Sequence, residues 1–472
     1  MIEARHIEAL KGLAGEKGLL TEEADMAAYE TGARYDRGRA AFVARPATTA
    51  EASAIVSYCV RNAIALVPQS GNTGLVSGST PDGSGRQGVL SLDRLTAPFD
   101  LDRVNRSVRA GAGLRLSDLN GRLEESGLFF PIDLGADPRL GGMIATNTGG
   151  SRFLRYGDVR RNVLGLTVVL ADEAGTVLDL SSDLRKNNTG VDWKQLFIGT
   201  SGAFGVVTEC VLNLEPAPKQ SATALLVPAS ADQVATLLVA MEDALGSYLS
   251  AFEGMSGNAV AAALDHVPSL RNPFQGGVVP GFVILAEISR ATPPRAGEQP
   301  LDAVLEEVLA AIWEREDAPL ADAFVGPPHE IWALRHALSE GVKHRGRLIA
   351  FDLSFRRGDI MPFLAHMKAE MPDHFEDVTI CDFGHIGDGG VHFNLVVAKD
   401  DPRLADPHFE ADLREWVFTV AVEQFGGSFS AEHAIGRKNQ AFYDRYTPEK
   451  LRELTAGLKT ITSPGPLGTI TF

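Results

Sequence analysis

The sequence predicts an α+β protein in two parts, an α/β unit followed by a second unit with an antiparallel sheet. Helical and strand-like hydrophobic periods alternate along the chain, which favours mixed layers of helices and strands. Pro216 and Pro218 close a buried strand and indicate a domain boundary. With 472 residues, 44% hydrophobic and 22% charged, the chain has a globular composition and room for several domains.

The first unit opens with a strand, a helix and a second strand. Thr48 and Glu51 have the spacing of a capping box, which predicts the start of the helix. A charge-free run at 62–81 contains Pro68 and three glycines, so it predicts a loop rather than a membrane-spanning helix. Short apolar runs predict strands at residues 41–44, 65–68, 163–170 and 206–214.

The second unit alternates amphipathic helices with strand-like runs. Apolar residues three and four apart predict helices at residues 234–245, 301–312 and 331–338. Strands are predicted at residues 281–288, 348–355, 378–384 and 391–397. We expect an antiparallel sheet with helices on one face.

Charge and cysteine content argue against several classes of protein. Lys and Arg number 44 and Asp and Glu 61, a net charge of −17 that repels nucleic acids and anionic membranes. The cysteines, Cys59, Cys210 and Cys381, lack Cys-x-x-Cys spacing, which argues against a disulfide framework and favours a reducing cytoplasm. The N-terminus is typical of an amphipathic helix rather than of a signal peptide.

One glycine pattern, Gly83-x-Gly85-x-x-Gly88, matches the dinucleotide-binding signature. That signature binds a pyrophosphate where it follows a strand and begins a helix. Here it leads into the apolar residues 89–92, which are typical of a strand. We therefore interpret it as a turn.

The segment from Pro68 to Ser79 is a better candidate for a phosphate-binding loop. Its glycines let backbone N–H groups converge on an anion, and its Ser, Thr and Asn side chains add uncharged donors. Gly/Ser loops are also common surface linkers, so this segment alone leaves both interpretations open. Two more uncharged glycine-rich segments, 141–150 and 199–208, favour a long, flat, anionic ligand lined by backbone.

With the motifs at 152–157 and 184–190, these segments resemble the vanillyl-alcohol-oxidase type of FAD-binding protein. The resemblance is to the branch of D-2-hydroxyglutarate dehydrogenase, D-lactate dehydrogenases and bacterial glycolate oxidase subunits. It implies a two-part FAD-binding domain at 1–217 and a substrate-binding α/β cap domain with an antiparallel sheet at 218–425. A C-terminal segment at 426–472 would complete the active site and pack back on the FAD domain.

The resemblance also implies that FAD is bound non-covalently. Some relatives tether the flavin through a His or Cys on the phosphate loop, and this loop has neither. Ser70 stands where the family usually has glycine. The residues implied to bind FAD are Pro68, Ser70, Gly71, Asn72, Thr73, Gly74, Gly78, Ser79, Pro131, Gly135, Gly141, Gly142, Ala145, Thr146, Asn147, Gly149, Gly150, Tyr156, Gly157, Gly202, Gly205, Val206 and Val207.

A predicted hairpin carries two histidines that can meet. Period two places His392 and Asn394 on one strand face, and His385 lies across the turn. Two imidazoles are half of a zinc site, but such pairs are more often structural, so both interpretations remain open. The resemblance implies that His385, His392 and Glu432 bind a divalent metal, with zinc expected and manganese, cobalt or iron compatible. It further implies that Asn394 contacts substrate and that His433 is the catalytic base.

A predicted helix places Arg335 and Ser339 one turn apart, where they can grip one anionic group. A solvated Arg on a helix is equally common. In D-2-hydroxyglutarate dehydrogenases the matching pair holds the distal carboxylate together with a Lys, and the position of that Lys is Ala350 here. Either Lys343 or Arg347 replaces it, or the substrate has a shorter or uncharged tail.

The resemblance implies oxidation of a small D-2-hydroxy acid, of the D-2-hydroxyglutarate or D-lactate type, by hydride transfer to FAD. Reoxidation then needs a partner, by analogy an electron-transfer flavoprotein or a quinone-linked carrier, and a homodimer is a further expectation. Two other classes remain open. One is a metal-free FAD oxidase or reductase of the same fold, and the other a non-catalytic flavin-binding subunit of a glycolate-oxidase-like complex.

Overall fold

The computed structural model describes residues 2–34 and 37–472. Its helices are α1 (Ala4–Ala14), α2 (Glu23–Glu30), α3 (Thr49–Arg61), α4 (Leu116–Leu123), α5 (Leu140–Thr146), α6 (Phe153–Tyr156), α7 (Val159–Asn162), α8 (Val234–Leu245), α9 (Gly257–His266), α10 (Leu301–Trp313), α11 (Pro328–Arg345), α12 (Ile360–His374), α13 (Pro407–Thr419), α14 (Gln440–Tyr446) and α15 (Glu449–Thr462). Its strands are β1 (Leu19–Leu20), β2 (Ala40–Ala44), β3 (Leu66–Gln69), β4 (Gln87–Ser91), β5 (Phe99–Asp102), β6 (Ser107–Gly111), β7 (Leu128–Phe129), β8 (Val163–Val169), β9 (Val177–Leu180), β10 (Val206–Asn213), β11 (Glu215–Pro216), β12 (Gln220–Pro228), β13 (Leu249–Ser256), β14 (Phe282–Arg290), β15 (Leu320–Gly326), β16 (Arg347–Ser354), β17 (Thr379–Ile380), β18 (Phe383–Gly384) and β19 (Gly390–Val397).

The chain divides into two compact units. The first contains the chain up to Gly149 together with Gly157–Pro216 and Glu432–Phe472, and the second contains Gly150–Tyr156 and Ala217–Ala431. These limits differ from the expected ones in two places. The short segment carrying α6 belongs to the second unit, and the chain returns to the first unit after Ala431 rather than at residue 426.

A parallel and an antiparallel sheet form the framework of the first unit. β2 and β3 both pair in parallel with β4, which lies between them, and β1 pairs antiparallel with β2. The predicted strand-helix-strand opening is confirmed, with β4 inserted between its two strands. The second sheet has the antiparallel order β5-β6-β10-β8-β9. The pattern at 83–88 is confirmed as a turn, because it leads directly into β4.

Helix α3 begins where the capping residues predict. The Thr48 hydroxyl accepts a hydrogen bond from the Glu51 N–H at 3.1 Å, and the Glu51 carboxylate accepts one from the Ala47 N–H at 2.7 Å. One backbone donor of the first turn and one just before the N-cap are thereby satisfied. The apolar face of the helix, including Ile55 and Cys59, is fully buried in the core of the first unit.

The second unit is built on an antiparallel sheet in the order β15-β12-β14-β13-β18-β19-β16, with β17 paired to β19. Phe393 and Val396 lie on opposite faces of β19, because side chains alternate along a strand. Val396 packs in one cluster with Val260 of α9 and Leu338 of α11, whereas Phe393 packs edge-on against Phe363 of α12. Helices therefore cover both faces of the sheet, and the expectation of one covered face is wrong.

Most strands predicted for the second unit are confirmed, but not all. The run at 378–384 is split into β17 and β18, and β13 was not predicted. The three cysteines are buried free thiols. Within the described part of the chain, no helix has both the length and the apolar character needed to cross a bilayer.

The cap of α3 gives a stability prediction. Thr48→Ala removes the side-chain acceptor for an N-terminal N–H, and we expect a loss of about 1 kcal/mol in the free energy of unfolding. Urea denaturation followed by circular dichroism measures it. Thr460→Ala, at an exposed position inside α15, is the matched control and is expected to change stability by less than about 0.5 kcal/mol. Equal effects of the two substitutions would contradict the assigned cap.

Candidate active site

In the first unit, the predicted phosphate loop follows β3 and is shaped by its own polar side chains. The Asn72 amide donates to the Thr31 carbonyl at 2.8 Å, and its oxygen accepts a hydrogen bond from the Ser79 hydroxyl at 3.0 Å. Gln69 bridges the loop by donating to the Ser79 carbonyl at 2.8 Å. The side chains of Asn72 and Ser79 therefore fix the curvature of the loop.

The three glycine-rich segments meet within the first unit. Ser201 N–H donates to the Ala145 carbonyl at 2.7 Å, which joins the third segment to the second. A Cβ on Gly142 would lie 3.3 Å from the Ser70 Cβ, so glycine at that position leaves room for the serine. The departure from the family pattern at Ser70 is thus accommodated by its neighbour. The three segments are therefore neighbours within the first unit.

Not every residue implied to bind FAD lies with these segments. Gly135 is exposed in the coil between β7 and α5, whereas Pro131, in the same coil, is buried. Gly150 and Tyr156 belong to the second unit. Asn147 ends α5 in the left-handed conformation, with φ 52°, and its amide donates to Asp158 at 2.8 Å.

The C-terminal segment that carries Glu432 and His433 docks on the phosphate loop of the same unit. The Ile435 carbonyl accepts a hydrogen bond from the Ser201 hydroxyl at 2.9 Å. Arg437 donates to the carbonyls of Thr80 and Pro81. A Cβ on Gly436 would lie 2.0 Å from the Val76 carbonyl oxygen, so this close approach requires glycine. Glu432 and His433 therefore precede a short stretch, residues 435–437, that contacts the third glycine-rich segment and the phosphate loop.

In the second unit, one face of the sheet carries His385, His392 and Asn394. The two imidazole rings are 5.2 Å apart at their centroids, and one nitrogen of each lies within 4.8 Å of the other. His392 Nδ1 is 3.6 Å from an oxygen of Asp352, its cross-strand neighbour on β16. The structure therefore brings together the two histidines that the sequence placed across a hairpin.

A buried carboxylate that the sequence analysis missed lies behind His385. Glu253, on β13, is 1% exposed. One of its oxygens is 2.8 Å from His385 Nδ1, and the other accepts hydrogen bonds from Arg335 Nε at 2.9 Å and Nη2 at 2.8 Å. Burial acts to raise the pKa of Glu253, but the charges of His385 and Arg335 outweigh it and hold the pKa below its usual value. A single charged residue in the otherwise uncharged run 249–256 was the available signal.

A second buried carboxylate, Glu287, lies on the same face of the sheet one strand away. Its cross-strand neighbour is Ala251, which is two residues from Glu253. Arg152 Nε donates to it at 2.9 Å, Trp332 Nε1 at 2.8 Å and the Ser250 hydroxyl at 2.7 Å. Burial again opposes ionisation, but these donors hold the pKa of Glu287 below its usual value.

The side chains of Arg335 and Ser339 differ in solvent exposure. Arg335 is buried against Glu253, whereas Ser339 lies on the exposed side of α11. The charge of Arg335 is paired with a buried carboxylate. A shared contact of Arg335 and Ser339 with one anion stays a prediction.

The two cations considered as replacements for the lysine that the family has at position 350 form ion pairs with other residues. Lys343 pairs with Glu340 at 3.6 Å and Arg347 with Glu410 at 3.2 Å, and both are exposed. A further cation, Arg414 of α13, donates to the Ala350 carbonyl at 3.3 Å. Its guanidinium stacks over Phe351, whose side chain lies on the opposite face of β16 from that of Ala350.

Comparisons with known proteins identify the family to which the chain is similar. The family model described as an FAD binding domain matches residues 40–181, and the model described as the C-terminal domain of FAD linked oxidases matches 217–464. Relatives named D-2-hydroxyglutarate dehydrogenase include a mitochondrial one from Danio rerio, 33% identical over 91% of this chain and 77% of its own. Another, from Xanthomonas citri pv. viticola, is 32% identical over 89% of this chain and 86% of its own.

Solved structures share the fold across nearly the whole chain. 4-Ethylphenol oxidase from Gulosibacter chungangensis has a TM-score of 0.74 at 17% identity and covers 98% of this chain and 95% of its own. p-Cresol methylhydroxylase has a TM-score of 0.72 at 13% identity and covers 98% and 94%. The predicted α+β fold of the vanillyl-alcohol-oxidase type is thereby confirmed. The chain belongs to the family of FAD-linked oxidases and is an FAD-linked oxidoreductase.

Proposed function

We propose that this chain oxidises a small D-2-hydroxy acid to the 2-oxo acid and uses a divalent metal held by His385, His392 and Glu432. The observation that carries the proposal is the pair of histidines on one face of the second unit's sheet, with ring nitrogens within 4.8 Å of each other. The names of the relatives support the substrate class.

The donor set fits a metal. His385 uses Nδ1 for Glu253, so coordination of a metal by this ring would use Nε2. Ala431 N–H donates to Asp352 at 3.0 Å, and Glu432 is the next residue, with its Cα about 3.8 Å further along the chain. Two imidazoles and a carboxylate suit zinc and also manganese, cobalt or iron. A metal bound there would act as a Lewis acid on the substrate hydroxyl.

The residues of the first unit fit FAD, which supplies the hydride acceptor when bound. The three segments are rich in small residues, whose backbone N–H groups can donate hydrogen bonds to an anion. The phosphate loop has neither a His nor a Cys that could tether the flavin. The proposed binding is therefore non-covalent. For reoxidation we propose an electron-transfer flavoprotein or a quinone-linked carrier, by analogy with the family.

Two side chains are assigned to the substrate. His433 accepts the hydroxyl proton on a ring nitrogen, since histidine is the side chain that most often serves as a general base. Asn394 contacts the substrate from the same sheet face as His392. The charge of Arg335 is shared with Glu253, and Ala350 adds none, which supports a substrate with a short or weakly charged tail. D-Lactate and D-2-hydroxyglutarate are the first two substrates to test.

Removal of the metal site gives the first functional prediction. Purified wild type is expected to contain about one divalent metal per chain, and His392→Ala is expected to lose it together with turnover while retaining FAD. Metal analysis measures the metal content, and the flavin spectrum measures the bound FAD and its reduction during turnover. His408→Ala, an exposed histidine of α13, is the matched control and is expected to keep metal and activity. A His392→Ala protein with full activity would instead favour the metal-free flavin enzyme.

Removal of the base separates catalysis from metal binding. His433→Ala is expected to slow anaerobic flavin reduction by about 10²- to 10⁴-fold, because a general base contributes about that factor. Metal content should not change, since Glu432 is the proposed ligand. Stopped-flow absorbance measures the rate. An unaltered rate would exclude His433 as the base, and no reduction of the wild type by any hydroxy acid would favour a non-catalytic subunit.

Restoring the missing cation tests the substrate tail. Ala350 lies on the same face as Asp352, so Ala350→Lys places an ammonium on the face of the histidines. We expect the KM for D-2-hydroxyglutarate to fall by about one to two powers of ten, the effect of one charge-assisted contact, with little change for D-lactate. Ala350→Met is the matched uncharged control. Equal changes for both substrates, or for both variants, would contradict this view of the pocket.

A further inference from the structure

Glu253 is a deeply buried carboxylate to which the proposed chemistry assigns no task. It lies inside β13 and binds two groups at once, His385 through one oxygen and Arg335 through the other. Both contacts are short, at 2.8 Å to His385 Nδ1 and at 2.8 and 2.9 Å to the guanidinium. A carboxylate buried in this way is stable only when it is paired on each side.

The contact with His385 determines which ring nitrogen carries the proton. An ionised carboxylate can only accept hydrogen bonds, so Nδ1 of His385 must be the donor. In a neutral imidazole the lone pair then lies on Nε2, and the ring cannot turn over without losing the bond to Glu253. Arg335 holds the other carboxylate oxygen and so fixes the direction in which Glu253 faces the histidine.

We propose that Glu253 is a positioning residue that holds His385 in the Nδ1–H form, with Nε2 facing the metal, and that aligns Arg335 through the same carboxylate. The inference rests on the proposed function, because it takes His385 as a metal ligand. One side chain then orients a proposed metal ligand and also holds the buried cation Arg335 of α11.

Glu287 supplies a matched control. It lies on the same face of the neighbouring strand, is 3% exposed and also pairs with an arginine, Arg152. Its other hydrogen-bond donors are Trp332 and Ser250 rather than a proposed metal ligand. Glu253→Gln and Glu287→Gln thus remove equivalent buried charges, and only the first removes the partner of His385.

The test is zinc affinity, measured on FAD-bound protein that has been stripped of metal and titrated in competition with a chromophoric chelator. Glu253→Gln is expected to weaken zinc binding by about 10- to 100-fold, the usual cost of losing such a partner. Glu287→Gln is expected to stay within about twofold of wild type. Wild-type affinity in Glu253→Gln, or equal losses in the two variants, would overturn the proposal. Wild-type affinity in His392→Ala would instead defeat the proposed function.

A second measurement does not depend on the folding of Glu253→Gln. Long-range ¹H–¹⁵N NMR of metal-free, FAD-bound wild type, with ¹⁵N-labelled histidine, reports which ring nitrogen of each histidine is protonated. The signal that disappears in His385→Gln identifies His385. Protonation on Nδ1 is the expected result. Protonation on Nε2 would overturn the proposal.

Discussion

The charge of Glu253 is the constraint on which the second unit's site depends. The carboxylate lies in a central strand, 1% exposed, and leaving it unpaired there would cost several kcal/mol. Its two partners come from different elements, His385 from the turn after β18 and Arg335 from α11. Leu334 and Leu338 pack α11 on the sheet, and the ion pair adds a charged contact on the same buried face of that helix.

In the first unit, segments that are distant along the chain are held together near the phosphate loop. Hydrogen bonds join the segments around Ala145 and Ser201, and the segment after His433 docks on the same region through Ile435 and Gly436. The phosphate loop and the residues proposed as carboxylate ligand and base are therefore built into one folded unit. This explains why the last 41 residues, Glu432–Phe472, belong with the N-terminal part of the chain.

Local sequence patterns predicted the elements whose signals are strong. The capping spacing of Thr48 and the alternation around His392 both correspond to the structure, because each depends on residues close in sequence. β13 was missed because the run 249–256 is buried on both faces and its polar residues, Ser250, Glu253 and Ser256, do not alternate with apolar ones at period two. The pairing of Glu253 with Arg335 could not be predicted, since it joins residues 82 positions apart through tertiary packing. Only the helical spacing of Arg335 and Ser339 is visible in the sequence, and that spacing is why the two were expected to contact one anion together.

A crystal structure of the FAD-bound protein, with anomalous scattering recorded at the zinc edge, would locate the metal directly. We expect one strong peak at about 2.0–2.1 Å from Nε2 of both His385 and His392. Glu432 is expected to supply an oxygen ligand, and Glu253 should keep its hydrogen bond to His385 Nδ1. A zinc-supplemented active enzyme with no peak at these histidines, or with Glu253 itself bound to the metal, would show that the proposed site is wrong.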